Sequence, residues 1–480
     1  MAIRYSKDPQ TDRTLRHSVR DAVAYAVMSG GGETYLSAFA LFLKATAPQV
    51  ALLATLPALL GSLTQLLSAW LVSRLRRRKI LILIGASLQG IVWLPLLLMP
   101  LAFPDRAVLW LIVFATLYHA AGNFPAPLWS SLMGDLVPER KRGRYFGRRT
   151  RLATITAFLA LVGGGVLLHL FDKQGWTQFG FVTLFVIAAV TRLISVYHLA
   201  RMHEPDMGAP PPRLAPGWLR RLRSSPAWRF TFYIVCMQGA VAVAAPFFAV
   251  YMLRDLQFSY LLFMANTGMA VLVQFLTLNT WGRISDIFGN RLILVTTGSL
   301  IPVLPALWLV SDSFWYLLVV QVIGGLGWAG FSLSAGNFLF EAVAKERRAG
   351  YMAFHNILTA VAVFAGGMFG ALLTRVLPEQ SVLFGGSVSV GSVMLSVFAA
   401  SALLRGAVAL WFLPRLEEIR KPRRRMSPRQ LVFRVTRFNA FSGLLYEVVT
   451  MFRRPEHMPR DSTTAPDAPP AAPPAAAERR

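Results

Sequence analysis

Glu33 is the residue whose type and position most invite chemistry. It follows Gly30-Gly31-Gly32 near the middle of a long apolar run. An ionised carboxylate inside a membrane is costly and is by default a functional candidate. Burial favours the neutral form of an acid, which suits Glu33 to proton coupling. Tyr25, Ser29 and Ser37 lie four or eight residues away and share its helical face. The three glycines weaken a helix and allow close backbone approach or local unwinding. His119 lies at similar depth in a later run, one turn from Asn123, and an imidazole can relay protons near neutral pH. Gln65, Gln238, Asn266, Gln274, Gln321 and Trp328 are further candidates for lining a cavity. The plainer alternatives are a glutamate satisfied by neighbouring helices and polar side chains that only bind helices together.

These residues need elements to hold them. Of 480 residues 55% are hydrophobic and 15% charged, below the charged fraction of a soluble chain. Twelve apolar runs read as Asp21–Phe42, Pro48–Val72, Ile80–Phe103, Val108–Gly134, Leu152–Phe171, Phe179–Ala200, Phe230–Leu253, Phe258–Trp281, Leu292–Val310, Phe314–Phe340, Met352–Val376 and Leu383–Leu413. Each is near the length of a spanning helix, and none shows the alternation of a strand. The expectation is an all-α membrane protein with twelve transmembrane helices in two six-helix bundles. Its regions are an N-terminal tail (1–20), a first bundle (21–200), a linker (201–227), a second bundle (228–414) and a basic tail (415–480).

The formal net charge of +26 has a topological reading. Lys and Arg crowd the N-terminal tail, Arg74–Lys79, Arg140–Arg151, Arg201–Arg229, Arg283–Arg291, Lys345–Arg348 and the C-terminal tail. The opposite loops carry only Lys44, Arg106, Lys173, Arg254 and Arg375. That bias predicts cytoplasmic termini and an even number of crossings. The basic side is expected to meet anionic lipid headgroups rather than nucleic acid. Residues 430–452 carry an apolar stripe that suits a helix on the membrane surface or one packed on the bundle, and the Pro/Ala-rich end reads as disordered. The polar start is not expected to be a signal peptide, and the lone Cys236 leaves no intrachain disulfide.

The halves repeat. Asp135, Arg142 and Tyr145 recur as Glu341, Arg348 and Tyr351 at one shared offset, and Arg192 and Glu204 recur as Arg405 and Glu417 at another. Such duplication fits a carrier of two parallel six-helix units with its site between them. Arg192 and Arg405 lie just inside the basic ends of helices 6 and 12, at a depth that suits a structural role, with Asp135 and Glu341 as candidate partners.

The loop between helices 8 and 9 reads Gly282-Arg283-Ile284-Ser285-Asp286-Ile287-Phe288-Gly289-Asn290-Arg291. It resembles the G-x-x-x-D-x-x-G-x-R signature of the major facilitator superfamily, over roughly Arg20 to Leu413. The matching first-half loop, Ser73-Arg74-Leu75-Arg76-Arg77-Arg78-Lys79, lacks the acid. The resemblance implies a secondary transporter working by alternating access. It also implies a cytoplasmic gate in which Asp286 latches onto Arg142, Arg144 or Arg148, with Asp135, Glu341 and Arg348 nearby. His355 and Asn356 are placed to join that gate.

The expected function is transport of a small solute across a bacterial inner (plasma) membrane by a monomer, coupled to protons through Glu33. The alternative is a facilitator-like protein that no longer pumps and serves as a sensor, scaffold or lipid-handling protein. An enzyme is not expected, since no phosphate loop, zinc-protease or nucleophile-elbow motif occurs, and neither a metal nor a cofactor is implied.

Overall fold

The computed structural model describes residues 8–75, 77–138, 141–205, 226–343, 348–377, 381–383, 388–390 and 392–418. They form twelve membrane-length helical columns. The first, α1, covers 9–42 as a helix Pro9–Gly31, a 3₁₀ turn Glu33–Tyr35 and a helix Leu36–Phe42. There follow α2 (Ala47–Leu75), α3 (Arg78–Met99), α4 (Pro104–Leu136), α5 (Arg142–Lys173) and α6 (Thr177–Ala200). The second half holds α7 (Ala227–Asp255), α8 (Tyr260–Phe288), α9 (Asn290–Leu307), α10 (Phe314–Ala342), α11 (Arg348–Val376) and α12 (Val393–Arg415). Eleven of these carry a window apolar enough to span by composition and length alone. The exception is α1, because its break divides the apolar stretch and its first turns are polar. Backbone groups within hydrocarbon must be satisfied internally, which leaves helices as the only open choice for such runs.

Several boundaries differ from the sequence reading: α5 starts at Arg142 rather than Leu152 and α8 runs to Phe288 rather than Trp281, and two further differences fall at the N-terminus and before α12. Residues 9–20 belong to α1 rather than to a tail: Asp8 caps the helix through Thr11, and Leu15 is fully buried. α12 starts at Val393, not Leu383. The residues before it include a short antiparallel ladder, β1 (Ser381–Leu383) with β2 (Val388–Val390), in which Ser381 pairs with Val390. The linker 206–225 and the tail beyond 418, with its amphipathic stretch, lie outside the described residues.

The repeat is visible in detail. Tyr145 at the start of α5 is buried and donates to the Leu15 carbonyl of α1 at 3.1 Å. Tyr351 at the start of α11 is likewise buried and donates to the Ala227 carbonyl of α7 at 2.7 Å. At the opposite end, Lys44 (φ 59°) and Gln257 (φ 52°) stop α1 and α7 in the left-handed region, at matched positions. Non-glycine residues seldom adopt that conformation, so the two turns are a shared device. Exposed Trp70, Tyr197 and Trp411 each carry an arginine one turn later, Arg74, Arg201 and Arg415, with guanidinium-to-ring distances of 5.5, 5.1 and 4.2 Å. This arrangement lets a charge at a helix end reach the interface over an apolar body.

Buried apolar residues form one cluster at the end away from the basic loops and two at the basic end. The first joins both halves, with Tyr35, Phe39, Phe181 and Phe185 beside Phe247, Tyr251, Trp308 and Phe398. The basic-end clusters stay within their own halves, one around Leu15, Leu81, Leu132 and Tyr145, the other around Phe230, Tyr233, Phe338 and Tyr351. The described side chains of the two bundles therefore share a core at one end and keep separate cores at the other.

Close helix crossings depend on glycines, Gly30 and Gly366 most tightly among those described. A methyl at Gly30 would collide with the Ala157 carbonyl of α5, and one at Gly366 of α11 would collide with the Gly239 carbonyl of α7. Gly163 faces open space. Overpacking of this kind costs about 1–3 kcal/mol. Gly30→Ala and Gly366→Ala are expected to lower the thermal unfolding temperature of the detergent-purified protein. Gly163→Ala should leave it unchanged or raise it, since Ala exceeds Gly in helix propensity by about 1 kcal/mol.

Candidate functional site

The break in α1 sets the site. Gly32 ends the first helical segment, and the chain tightens into the 3₁₀ turn that begins with Glu33. The Thr34 hydroxyl donates to the Ser29 carbonyl at 3.1 Å, a bond made by a side chain beside the interruption. Close packing enforces the break: Gly32 faces Ala188 of α6 and Trp93 of α3 with no room for a side chain. Tyr35 lies over Gly164 and Gly165 and donates to the Leu161 carbonyl at 2.5 Å.

Glu33 points from this turn into a cavity of about 280 Å³ lined by Ser29, Thr34, Leu36, Ser37, Leu53, Ala54, Ala115 and His119. The Tyr118 hydroxyl donates to Glu33 Oε2 at 3.0 Å, and His119 Nδ1 stands 4.0 Å from Oε1. Glu33 and His119 keep 30% and 29% side-chain exposure, so both can exchange with a solvated path. Tyr118 is fully buried, with its ring edge-on to Trp93 at 5.0 Å. This fixes the hydroxyl that holds one oxygen and leaves the other facing His119.

The candidates separate around this cavity. Ser29, Ser37, Glu33 and His119 meet there. Tyr25 lies beyond it, under the Arg192 guanidinium at 5.0 Å. Asn123 donates to the His119 carbonyl at 2.9 Å and accepts from Gln65 at 3.3 Å, tying α2 to α4 behind the histidine. Asn266 is fully buried and accepts from Gln321 at 2.7 Å, joining α8 to α10. Gln238 and Trp328 are half-buried in the second half and do not line this cavity. Tyr118 was missed because a tyrosine within an apolar run carries no signal of its own.

The matched charges make two related clasps. In the first half the buried Arg78 at the start of α3 donates to Asp135 at 2.6 Å and to Ser131 at 3.0 Å, both on α4. Glu204, beyond α6, accepts from the Arg78 and Lys79 amides at 2.9 and 3.3 Å. In the second half Asn290 at the start of α9 donates to Glu341 of α10 at 3.1 Å, and Glu418, beyond α12, accepts from the Arg291 amide at 2.9 Å. A carboxylate at a helix N-terminus satisfies open amides and meets the positive end of the dipole. The counterpart of Glu204 is thus Glu418, not Glu417.

Asp135 and Glu341 are therefore taken up by α3 and α9, not by the structural arginines. Arg192 is buried and donates to Ser195 at 2.7 Å, and the Ser195 hydroxyl donates to Asp21 of α1 at 2.7 Å. Arg149 of α5 reaches the other Asp21 oxygen at 3.2 Å and stacks on Trp129 at 4.2 Å. Arg405 donates to Ser401 at 3.0 Å and to the Ile301 and Val241 carbonyls. Asp21 has no acidic counterpart, since the matching position in α7 is Ile234.

In the signature loop Gly289 takes φ 87°, a conformation that favours glycine, with the Glu418 carboxylate against its Cα. Gly282 lies in α8, and Asp286 is exposed in its last turn. Glu418 is a carboxylate that accepts from the α9 N-terminus, at the Arg291 amide. The Arg291 guanidinium donates to the Leu416 carbonyl. Arg142 donates to the Gly134 and Val137 carbonyls at 2.8 and 3.3 Å, closing the end of α4. The side chains of Arg144 and Arg348 lie outside the described ones. His355 Nδ1 is 3.3 Å from the Thr231 hydroxyl.

The Major Facilitator Superfamily model matches residues 22–248 and again 231–455. The chain belongs to this superfamily. No curated protein sequence matches it. Among solved structures the facilitator resembles a D-xylose–proton symporter (14% identity, TM-score 0.63, covering 86% of this chain and 98% of the other). It also resembles the nucleoside transporter NupG (12%, 0.58, 85% and 99%). A third is a bacterial homologue of the human lysosomal transporter Spinster, in an inward-facing, unoccupied conformation (14%, 0.58, 86% and 96%). At these identities the likeness is one of fold.

Removing Arg78 leaves two carboxylates without their shared partner. Arg78→Ala is expected to destabilise the facilitator by about 1–3 kcal/mol, read as a lower unfolding temperature. Asn290→Ala, which removes a neutral amide, should cost less.

Proposed function

We propose that this facilitator is a proton-coupled secondary transporter that moves a small solute by alternating access. Membership of the superfamily supports secondary transport. The observation that carries the proton reading is Glu33, placed at a helix break in a cavity with Tyr118 on one oxygen and His119 near the other. Protonation removes the charge that holds the carboxylate in this hydrogen-bonded setting, so proton and solute occupancy become linked through one group. The chain works as a monomer in a plasma (inner) membrane, surrounded by lipid, with both termini and the basic loops in the cytoplasm. The separate cores at the basic end and the shared core at the other correspond, in that orientation, to an inward-open form.

Coupling is tested in proteoliposomes holding an entrapped pH dye. The solute is the one that most raises the unfolding temperature in a screen of sugars, nucleosides and organic amines. Adding it is expected to move protons with the wild type. Glu33→Gln should abolish solute-driven proton movement while keeping downhill solute exchange. Uphill transport by Glu33→Gln with unchanged pH dependence would refute the proton role.

In this reading the basic end closes when Asp286 of α8 engages basic residues at the start of α5. Exposed ion pairs are worth about 0–1 kcal/mol, weak enough to break in each cycle. Asp286→Asn should hold the basic side open longer. The readout is faster modification of a cysteine placed at Gly147, where a side chain meets open space, in a Cys236→Ser background. An unchanged labelling rate would remove Asp286 from the gate.

A further inference from the structure

We propose that the break in α1 forms a Na⁺ site, with Glu33 as its charged ligand and the hydroxyls of Ser29, Thr34 and Ser37 as neutral ones. This rests on the reading of Glu33 as the coupling carboxylate and names a second ion for the same cavity. All four residues line one space of about 280 Å³. Ser29, Glu33 and Ser37 follow one another at single-turn intervals, and Thr34 enters from the 3₁₀ turn. Every donor is an oxygen, the ligand type of hard cations.

Three features of the site favour a cation. Tyr118 occupies only Oε2 of Glu33, and among the described residues no hydrogen bond is made to Oε1. The segment Pro9–Gly31 ends at the cavity, so the negative end of its dipole points there. The Ser29 carbonyl accepts from the Thr34 hydroxyl beside the break, and both residues line the cavity. Interrupted helices in transporters supply such oxygens to coupling ions. Charge sets the valence: one carboxylate offsets one monovalent ion, whereas Ca²⁺ takes six to eight oxygens and Mg²⁺ demands a near-ideal octahedron. His119 is the only lining side chain able to carry positive charge, and as a neutral imidazole it leaves the site anionic.

The test uses the purified full chain and the ions alone. Unfolding temperature is measured in NaCl, KCl and choline chloride at equal ionic strength. Na⁺ is expected to raise it by about 2–4 °C over choline, with saturation, as a bound ligand does. A Ser29→Ala/Ser37→Ala variant should lose the Na⁺ increment while unfolding near the wild-type temperature in choline. Equal unfolding temperatures in Na⁺ and choline would overturn the proposal, as would an equal rise in K⁺ or a Na⁺ increment retained by the double variant. If the Na⁺ increment is absent while solute still drives protons in proteoliposomes, this inference falls alone. If Na⁺ stabilises but no solute moves protons, the Na⁺ site stands and the proton reading falls.

Discussion

The interruption of α1 between Gly31 and Leu36 is the constraint on which the site depends. An unbroken helix would present Glu33 from an ordinary turn and keep the Ser29 carbonyl within its own ladder. The break is held by packing rather than by weak helix propensity alone. Gly30 and Gly32 bring α1 against α5 and α6 so closely that no side chain fits, and Tyr35 locks the following turn by reaching the α5 backbone. Small residues permit such approach in membranes, where packing and hydrogen bonds replace the hydrophobic drive between helices. The carboxylate then emerges beside a buried tyrosine whose position is fixed by Trp93.

The two halves share a scaffold but not their chemistry. Each begins its third helix at a clasp between a carboxylate at the end of the fourth helix and one beyond the sixth helix. In the first half the centre of the clasp is a buried guanidinium, in the second an asparagine. The missing acid in the loop before α3 therefore does not leave that loop unsupported: Arg78 anchors it with Asp135 and Glu204. The same inequality continues inward. Arg192 acts on Asp21 through Ser195, whereas Arg405, lacking an acid, settles on backbone carbonyls. The buried acid Asp21 and the Glu33–His119 pair both belong to the first half.

Hydropathy and charge bias made the twelve spans and the repeat legible, because a bilayer demands long apolar runs and the loops retain their basic residues. The glycine triplet left close approach and local unwinding both open, and both occur: no side chain fits at Gly30 or Gly32, and the first helical segment ends at Gly32. The start of α1 escaped because residues 9–20 are polar, yet they are helical from the Asp8 cap and buried on one face. Asp21 escaped for a related reason: it sits at the edge of an apolar run, where an acid usually marks a boundary. Tertiary contact reveals it as a buried ion-pair partner. Partner choice was the least legible level. Asp135 lies on α4 and Arg192 on α6, and α3 packs against both, so that its Arg78 reaches the acid first.

Alternating access requires contacts that differ in strength at the two ends, and the cores show such a difference. The end away from the basic loops is sealed by large aromatic side chains from both halves, including the edge-on pair of Phe181 and Tyr260 at 5.6 Å. Opening it means exposing apolar surface, at roughly 25 cal/mol per Å². The basic end is stabilised within each half by clasps that do not cross between them, so the bundles can separate there without breaking those bonds. Glu33 lies on the same turn that Tyr35 ties to α5. Under the proposed coupling, an ion or proton at that turn acts on the one segment of α1 whose backbone leaves the regular helix.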